Sequence, residues 1–274
     1  MKIPPLNLIN ANVITLNPDL PKAQDIFIKD GKIESVNQRV YSAKTIDLKS
    51  ATVIPGFIDA HYHLSNLGKF LENFNLVGID SPQKIANLIS EDLSKFPKGT
   101  WILGRGWDQS LWENGEFPFA KILDEITDDH PISLTRIDGH ALWANKRARQ
   151  ISGYEENPDV IPGGEVINNC IFIDNAMDSI KKYIPKPSEL DVTRYIENGI
   201  KQTVANGITG VHDAWQDSLI VNSIQKLVKK ERFPIRCYGM LNGNDEEFLY
   251  TWFKNGIVKN DHYTIRAVKA FMDG

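Results

Sequence analysis

The stretch that decides the fold is Pro55-Gly56-Phe57-Ile58-Asp59-Ala60-His61-Tyr62-His63, a mostly apolar run that ends in His-x-His. Side chains two positions apart on a β-strand point to the same face, so His61 and His63 can offer two imidazole nitrogens to one metal ion. The intervening side chains face the other way and are largely apolar. This pattern predicts the first strand of a (β/α) barrel, where sites lie at the carboxyl ends of strands. The alternative is two ordinary strand histidines that face solvent or a partner.

The residues before this stretch, from Leu6 to about Ala51, read as short strands. Asp30-Gly31 stands between two apolar runs and predicts a tight hairpin, because glycine tolerates the positive φ that such turns need. Too few residues lie in this region to form a core of their own.

The residues after His63 return to a regular pattern in two places. Ser81-Pro82 predicts a helix start, since serine is a favoured N-cap and proline a favoured first helical residue. The stretch from about Thr100 to Pro187 is rich in Trp, Gly and Pro, and we interpret it as an insertion. From the capping pattern at Ser188 onward, strands alternate with helices, which indicates a parallel sheet of βα units. The predicted parallel strands end near His63, Trp215, Leu241 and Asp273.

Four segments in this order resemble the amidohydrolase superfamily, and most closely amidohydrolase family 3, the group of N-substituted formamide deformylase and many metal-dependent hydrolases. They are Val53 to His63, Gly104-Arg105-Gly106-Trp107-Asp108, Asp138-Gly139-His140-Ala141-Leu142-Trp143-Ala144-Asn145, and Val268-Lys269-Ala270-Phe271-Met272-Asp273-Gly274. His-x-His alone is a weak motif, whereas the four segments together are a specific one.

The resemblance implies an α/β fold, the metal-dependent hydrolase (β/α)8 barrel with a flanking β-sandwich. A complete barrel needs eight strands, and the chain supplies four. We therefore expect an incomplete barrel: a partial β-sandwich at 1–52, the N-terminal half of the barrel at 53–274, and an insertion at about 100–187. The chain is then expected to be the N-terminal part of a longer protein, inactive and poorly soluble or oligomeric by itself.

The resemblance also implies a site. His61, His63 and Lys269 would hold one or two divalent ions, zinc being the expected metal, and Lys269 would be carbamylated to give an oxygen ligand. The alternative for Lys269 is a surface lysine on a frayed end. The general base is expected in residues beyond the chain.

Four further residues are candidates for contact with a substrate. Trp107, Asp108 and His140 match family positions near the substrate cavity, or else form a hydrogen-bonded cluster inside the insertion. His212 ends the second parallel strand and either lines the pocket or only packs. Asp59 could orient a ligand or hydrogen-bond within its strand, and His130 and His262 are expected at the surface.

Composition limits the possible partners. The chain has the composition of an ordinary globular protein, with 42% hydrophobic and 24% charged residues. Its net charge of −4 argues against nucleic acid or an anionic membrane as the main partner. Only two cysteines are present, no apolar run is long enough to span a bilayer, and the start lacks a signal-peptide core. The cytoplasm, a small-molecule substrate and a possible homo-oligomer are therefore expected.

The leading hypothesis is a metal-dependent amidohydrolase that attacks a carbon–nitrogen bond of a non-peptide amide with a metal-activated water. The alternative, from a different class, is a non-catalytic ligand- or partner-binding protein of amidohydrolase ancestry. The sequence does not identify the substrate, because a barrel pocket is built from the loops of all eight strands.

Overall fold

The computed structural model describes residues 4–154 and 161–271. The strands in chain order are β1 (Leu6–Ile9), β2 (Asn12–Ile14), β3 (Lys22–Ala23), β4 (Ile26–Lys29), β5 (Lys32–Val36), β6 (Lys44–Asp47), β7 (Thr52–Val53), β8 (Phe57–Tyr62), β9 (Phe74–Asn75), β10 (Ile102–Trp107), β11 (Ile132–Arg136), β12 (Ala141–Ala144), β13 (Gly164–Ile167), β14 (Ile171–Asp174), β15 (Ile208–Gln216), β16 (Arg236–Asn242), β17 (Val258–Lys259) and β18 (Tyr263–Lys269). The α-helices are α1 (Leu64–Glu72), α2 (Pro82–Asp92), α3 (Ala120–Asp124), α4 (Lys146–Ile151), α5 (Asp178–Lys181), α6 (Glu189–Ala205), α7 (Ser218–Lys229) and α8 (Glu246–Asn255).

The chain divides into two compact units. The first unit consists of residues 1–62 and 201–274, and the second unit consists of residues 63–200. The predicted limits, 1–52 and 53–274 with an insertion at about 100–187, stay a prediction. In the part of the chain that the structure describes, no helix combines the length and the apolar character needed to cross a membrane.

The first unit contains a five-stranded sheet in the order β17-β18-β16-β15-β8. Strands β8, β15, β16 and β18 are parallel to their neighbours, and the short β17 runs antiparallel to β18. Helix α7 connects β15 to β16, and α8 lies between β16 and β17. As the sequence predicts, the strand hydrogen-bonded beside β8 is β15 rather than the segment Trp101–Trp107.

The N-terminal strands of the first unit form two small sheets, β5-β4-β1-β6 and β3-β2-β7. Strands β4 and β5 pair in an antiparallel hairpin, and both Asp30 (φ 48°) and Gly31 (φ 74°) take the positive φ of a tight turn. The hairpin prediction is confirmed. Ala11, Val13, Ala23 and Ile26 form the small buried core of this region.

The second unit is built on a six-stranded sheet in the order β13-β14-β12-β11-β10-β9. Strands β9, β10 and β11 are parallel, and the remaining pairs are antiparallel. Its main core contains Trp107, Trp112 and Trp143, whose ring centroids lie 5.8 to 6.4 Å apart. The tryptophans that make this region look irregular in sequence are therefore its packing centre.

Two predicted helix starts are confirmed by their hydrogen bonds. The Lys84 backbone N–H donates to the Ser81 hydroxyl at the start of α2. At the start of α6, Ser188 and Asp191 cap each other: the Asp191 N–H donates to the Ser188 hydroxyl, and the Ser188 N–H donates to the Asp191 carboxylate.

Three details of the sequence prediction are wrong or fall outside the described residues. Strand β8 ends at Tyr62 rather than His63, because His63 is already the N-cap of α1, a helix the sequence did not predict. Strand β18 ends at Lys269, and Asp273 lies outside the described residues. His130 is buried rather than at the surface, and its Nδ1 lies 3.0 Å from the Thr100 carbonyl oxygen.

A buried polar network lies in the parallel sheet. The Tyr263 hydroxyl donates to Gln216 Oε1, and Gln216 Nε2 donates to the Asp213 carboxylate, with all three residues almost fully buried. Burial raises the pKa of the Tyr263 phenol well above its ordinary value, and the Cys237 thiol and the Asp213 carboxylate add to this shift. Tyr263 therefore keeps its proton and acts as the donor that fixes the orientation of the Gln216 amide.

In the second unit, helices α1 and α6 approach closely. A methyl group at Gly68 would overlap the Tyr195 carbonyl group, and one at Gly199 would overlap the Leu64 carbonyl oxygen. Glu72 at the end of α1 accepts two hydrogen bonds from Arg194 on α6, at 2.9 and 3.0 Å. Glycine is required at both contacts because the two backbones meet there.

The substitution Gly68→Ala tests this contact. In an exposed helix interior this change stabilises by roughly 1 kcal/mol, but here overpacking should lower the free energy of unfolding by about 1 to 3 kcal/mol. Lys69→Ala, on the exposed side of the same helix, is the control and should change little. Urea unfolding monitored by tryptophan fluorescence measures both, and a stabilised Gly68→Ala protein would contradict the close approach.

The substitution Tyr263→Phe tests the buried network. Loss of the hydroxyl leaves Gln216 Oε1 buried without this donor, which should lower the free energy of unfolding by about 1 to 3 kcal/mol. The matched change Tyr250→Phe, at a position 64% exposed, should stay within about 0.5 kcal/mol of wild type. Equal effects of the two changes in the same unfolding assay would mean that the network does not contribute.

Candidate functional site

His61 lies on the face of the parallel sheet that points away from the helices. Tyr62, the next residue, is paired with the buried Asp213, and its hydroxyl lies 2.8 Å from the Thr203 hydroxyl of α6. Tyr62 therefore faces the helices, on what we call the helix face. The register shifts just before this pair, so that Ala60 and His61 both stand opposite His212 of β15. His61 therefore points to the side opposite Tyr62, which we call the open face, and its side chain is exposed.

The carboxylate of Asp59 is engaged within its own strand. Its Oδ1 accepts a hydrogen bond from the His61 backbone N–H at 3.0 Å. Of the two roles considered for Asp59, the structure therefore shows the hydrogen bond within the strand. The bond holds the backbone at the residue that carries the imidazole.

His63 is exposed and is the first residue of the second unit. It has φ −138° and ψ 77° at the N-cap of α1, and its carbonyl oxygen accepts the Leu67 N–H. One residue separates it from His61, so the two Cα atoms are at most about 7 Å apart by chain geometry alone. Their spacing is thus set by covalent structure, as the sequence motif implies.

Lys269 is the last residue of β18 and also lies on the open face. Its neighbour Val268 is paired with the buried Leu241, and both line a cavity together with Phe253 of α8. Val268 is therefore on the helix face, and Lys269 is on the other. The Lys269 Nζ lies 4.9 Å from the centroid of the Phe271 ring.

His61 and Lys269 share a face and the same carboxyl edge of the sheet, but not neighbouring strands. Strands β15 and β16 lie between β8 and β18, which corresponds to about 14 Å along a sheet with strands ~4.8 Å apart. Both side chains can reach one metal ion only if the sheet curves toward the open face, as strands do in a barrel.

His212 both packs and lines a cavity. It lies on the open face of β15, and its ring centroid is 5.3 Å from that of Tyr238. The same two residues line a cavity with Arg236 and His262. This cavity lies toward the amino-terminal ends of β16 and β18, so it is separate from the carboxyl edge that carries His61 and Lys269.

Trp107 and Asp108 follow one another in the second unit but have different surroundings. Trp107 has no exposed surface, and its Nε1–H donates to the Leu134 carbonyl oxygen at 2.8 Å. Asp108 caps the short turn after β10 and accepts hydrogen bonds from the backbone N–H and the hydroxyl of Ser110. Trp107 therefore packs in the core of the second unit, whereas Asp108 lies at the edge of its sheet.

His140 belongs to a group of charged residues that we call the polar edge: Asp108, Arg136, Asp138, His140 and Asp174. The Arg136 guanidinium binds Asp138 with two hydrogen bonds and holds the pKa of that carboxyl at about 2, with the His140 backbone N–H as a further donor. The His140 ring Nδ1 lies 2.8 Å from Asp174 Oδ1. The sequence pointed to Asp108 and His140 but gave no signal for Asp174, which comes from β14.

The donor types around His61 fit part of a zinc site. Two imidazoles and a lysine that can become a carbamate are nitrogen and oxygen ligands of the kind zinc takes. Among residues 4–154 and 161–271, no three His, Cys, Asp or Glu side chains are grouped so that they could hold a metal ion. His61, His63 and Lys269 offer fewer than the four ligands of a tetrahedral zinc site.

Comparison with known proteins identifies the family of the chain. The amidohydrolase family profile (Amidohydro_3) matches residues 44–274. N-substituted formamide deformylase of Arthrobacter pascens is 29% identical over 297 residues, covering 98% of this chain and 54% of that protein. Protein LONG AFTER FAR-RED 3 of Arabidopsis thaliana is 26% identical over 300 residues, covering 98% of this chain and 50% of that protein.

A solved structure agrees with the fold. An uncharacterized metal-dependent hydrolase from Pyrococcus horikoshii superposes with a TM-score of 0.77 at 24% identity, covering 98% of this chain and 55% of that chain. The chain spans about half the length of the curated relatives it matches. On the profile match over residues 44–274, the chain belongs to the amidohydrolase family.

Proposed function

We propose that the protein is a metal-dependent hydrolase that acts on the carbon–nitrogen bond of a non-peptide amide in a small molecule. The observation that carries the proposal is the His-x-His motif at the carboxyl end of β8, with His61 and Lys269 on the same open face. Family membership supports the hydrolase class. The bond type is our inference from the family's chemistry.

The proposal includes the architecture. Four parallel strands in the order β8-β15-β16-β18 form the first half of a (β/α)8 barrel, whose functional groups gather at the carboxyl edge. The relatives have about twice the length of the matched segment, which supports further strands in the whole protein. Curvature of the completed sheet would bring His61 and Lys269 toward one centre.

In this proposal His61 and His63 hold a divalent metal ion, with zinc as the expected ion, and Lys269 contributes after carbamylation. Carbamylation joins the lysine nitrogen to the carbon of CO₂ and releases the proton of the amine, so the product is an anionic oxygen ligand. The bound ion would supply Lewis-acid activation of water and of the amide carbonyl. The Asp59 carboxylate holds the His61 backbone, and the buried network behind the sheet holds the strands in register.

Candidate substrate contacts are assigned within each unit by itself: to the polar edge of the second unit, and to the cavity at His212 in the first unit, which is separate from the carboxyl edge that carries His61 and Lys269. Asp108 and His140 offer hydrogen-bonding groups at the polar edge, Trp107 supports them from the core, and His212 offers an imidazole on the open face. We assign the general base to a part of the whole protein outside this chain. Self-association, through edges such as β8 where Phe57 is 58% exposed, is part of the proposal.

Metal content tests the ligand assignment. We expect the purified protein, loaded with Zn²⁺ and desalted, to retain about one or two ions per chain, and the double variant His61→Ala/His63→Ala to retain none. His262→Ala, a change at an exposed histidine outside the motif, should retain the wild-type amount. Elemental analysis by mass spectrometry gives the answer, and undiminished zinc in the double variant would show that the assignment is wrong.

Hydrolysis separates the proposed enzyme from the alternative, a non-catalytic binding protein of amidohydrolase ancestry. Amine release from a panel of N-alkyl and N-aryl amides should be metal-dependent in the longest natural form of the protein and lost in the double histidine variant. A protein that binds zinc through both histidines but hydrolyses no amide would instead support the alternative.

A further inference from the structure

The polar edge of the second unit gathers groups from four strands. Asp108 follows the carboxyl end of β10, and Arg136 ends β11. His140 stands just before β12, and Asp174 ends β14, which is antiparallel to β12. The strand directions therefore place all these residues at one edge of the six-stranded sheet.

His140 is held at three points although its side chain is 70% exposed. Its backbone N–H donates to Asp138 Oδ1 at 2.9 Å, and its carbonyl oxygen accepts the Asp174 N–H at 3.0 Å. Its ring Nδ1 lies 2.8 Å from Asp174 Oδ1. Fixing an exposed side chain costs rotamer entropy, and exposed ion pairs contribute little stability. Stability alone therefore gives a weak reason for this arrangement.

The pairing with Asp174 defines which ring nitrogen carries the proton. An ionised carboxylate only accepts hydrogen bonds, so the hydrogen between the two residues belongs to Nδ1. In the neutral imidazole the other nitrogen, Nε2, then has a free lone pair and acts as an acceptor. Asp174 thus gives the exposed end of His140 a defined hydrogen-bonding character.

The charges of the polar edge favour a ligand that donates hydrogen bonds. The hydrogen bond to Asp138 is the main cause of the raised pKa of the Arg136 guanidinium, and the carboxylates of Asp108 and Asp174 add to it. The guanidinium is already bound to Asp138 by two hydrogen bonds. A second guanidinium, that of Arg105, lies at the same edge and donates to the Ile137 carbonyl oxygen at 3.4 Å. Three carboxylates against two guanidinium groups leave an excess of negative charge, which favours ligand groups that present N–H over anions.

We propose that Asp174 is a positioning residue, and that it presents His140 Nε2 as the acceptor for the N–H group of an amide substrate. The nature of the ligand rests on the proposed function, because an N-substituted amide carries one such N–H. The defined tautomer does not rest on it. The inference gives Asp174 a role at the polar edge and restricts the substrate class to amides that keep an N–H.

The backbone at Asp174 determines which variants can be used. Its φ of 47° and ψ of −120° lie outside the left-handed α region and are a conformation that glycine adopts freely. Asp174→Asn removes the charge at nearly constant shape, and Asp174→Gly removes the carboxylate while relaxing the backbone. Asp178→Asn, the same charge change at an exposed position four residues along, is the matched control.

The first measurement is the tautomer of His140 in the full chain labelled with ¹⁵N-histidine. Long-range proton–nitrogen correlation spectra are recorded near pH 8.5, above the ordinary histidine titration range. We expect Nδ1–H to dominate in wild type and Asp178→Asn, and the Nε2–H form to rise in Asp174→Asn and predominate in Asp174→Gly. Dispersed amide spectra confirm that each variant is folded. A wild-type ring with mainly Nε2–H, or an unchanged ring in Asp174→Gly, would overturn the proposal.

The second measurement uses small probes with the same protein. N-methylacetamide carries one N–H, N,N-dimethylacetamide carries none, and acetate is an anion. We expect only N-methylacetamide to shift the His140 Nε2 resonance as its concentration rises, and we expect Asp174→Gly to reduce that shift several-fold. Equal shifts from the two amides, or a shift from acetate alone, would overturn the assigned ligand class, as would no shift at all.

These readouts involve neither metal nor turnover, so they fail independently of the proposed hydrolysis. Loss of zinc binding in the His61/His63 variants would leave the His140 tautomer as it is. Finding mainly Nε2–H on His140 would not change the assignment of His61 and His63 as metal ligands.

Discussion

The parallel pairing of β8 with β15 is the constraint on which the candidate metal centre depends. It joins Phe57 to Ile208, 151 positions later in the chain, and places Tyr62 opposite Asp213. The register shifts between the Asp59–Val211 and Tyr62–Asp213 pairs, so Ala60 and His61 of β8 stand opposite the single residue His212, and His61 lies on the open face. Closing so long a loop adds little entropy cost over closing a moderate one, since the cost grows only with the logarithm of length. The intervening residues 63–200 can therefore form a compact unit of their own.

The two faces of the parallel sheet carry different groups of residues. The helix face carries the apolar core and the Asp213–Gln216–Tyr263 network, in which Tyr263 donates to Gln216 and Gln216 donates to Asp213. Simple alternation would put Gln216 on the open face with His212. Trp215 has a φ of 68°, which is rare for a bulky residue, and the register shifts there so that Gln216 pairs with Leu241 on the helix face. The ring of Trp215 then contacts Phe271, at 4.8 Å between centroids, beside Lys269.

The sequence predicted those features that depend on local chemistry or on strong periodicity. The Asp30-Gly31 hairpin, the Ser81 cap and the order of the parallel strands could be read from turn residues, capping residues and alternating elements. Helix α1 was not predicted, because His-x-His continues the apolar strand pattern up to Leu64 and obscures the helical spacing of Leu64, Leu67 and Leu71. The burial of His130 and the pairing of His140 with Asp174 depend on contacts across 30 and 34 positions, for which one sequence gives no signal.

The most direct test of the metal centre is X-ray absorption at the zinc edge on the zinc-loaded protein. The account predicts at least two imidazole nitrogens at about 2.0 to 2.1 Å from the metal, the distance typical of zinc–histidine bonds. The imidazole scattering should disappear when His61 and His63 are both replaced by alanine. A zinc ion surrounded by oxygen alone in the wild-type protein would contradict the account, because the shared strand end would then hold no metal.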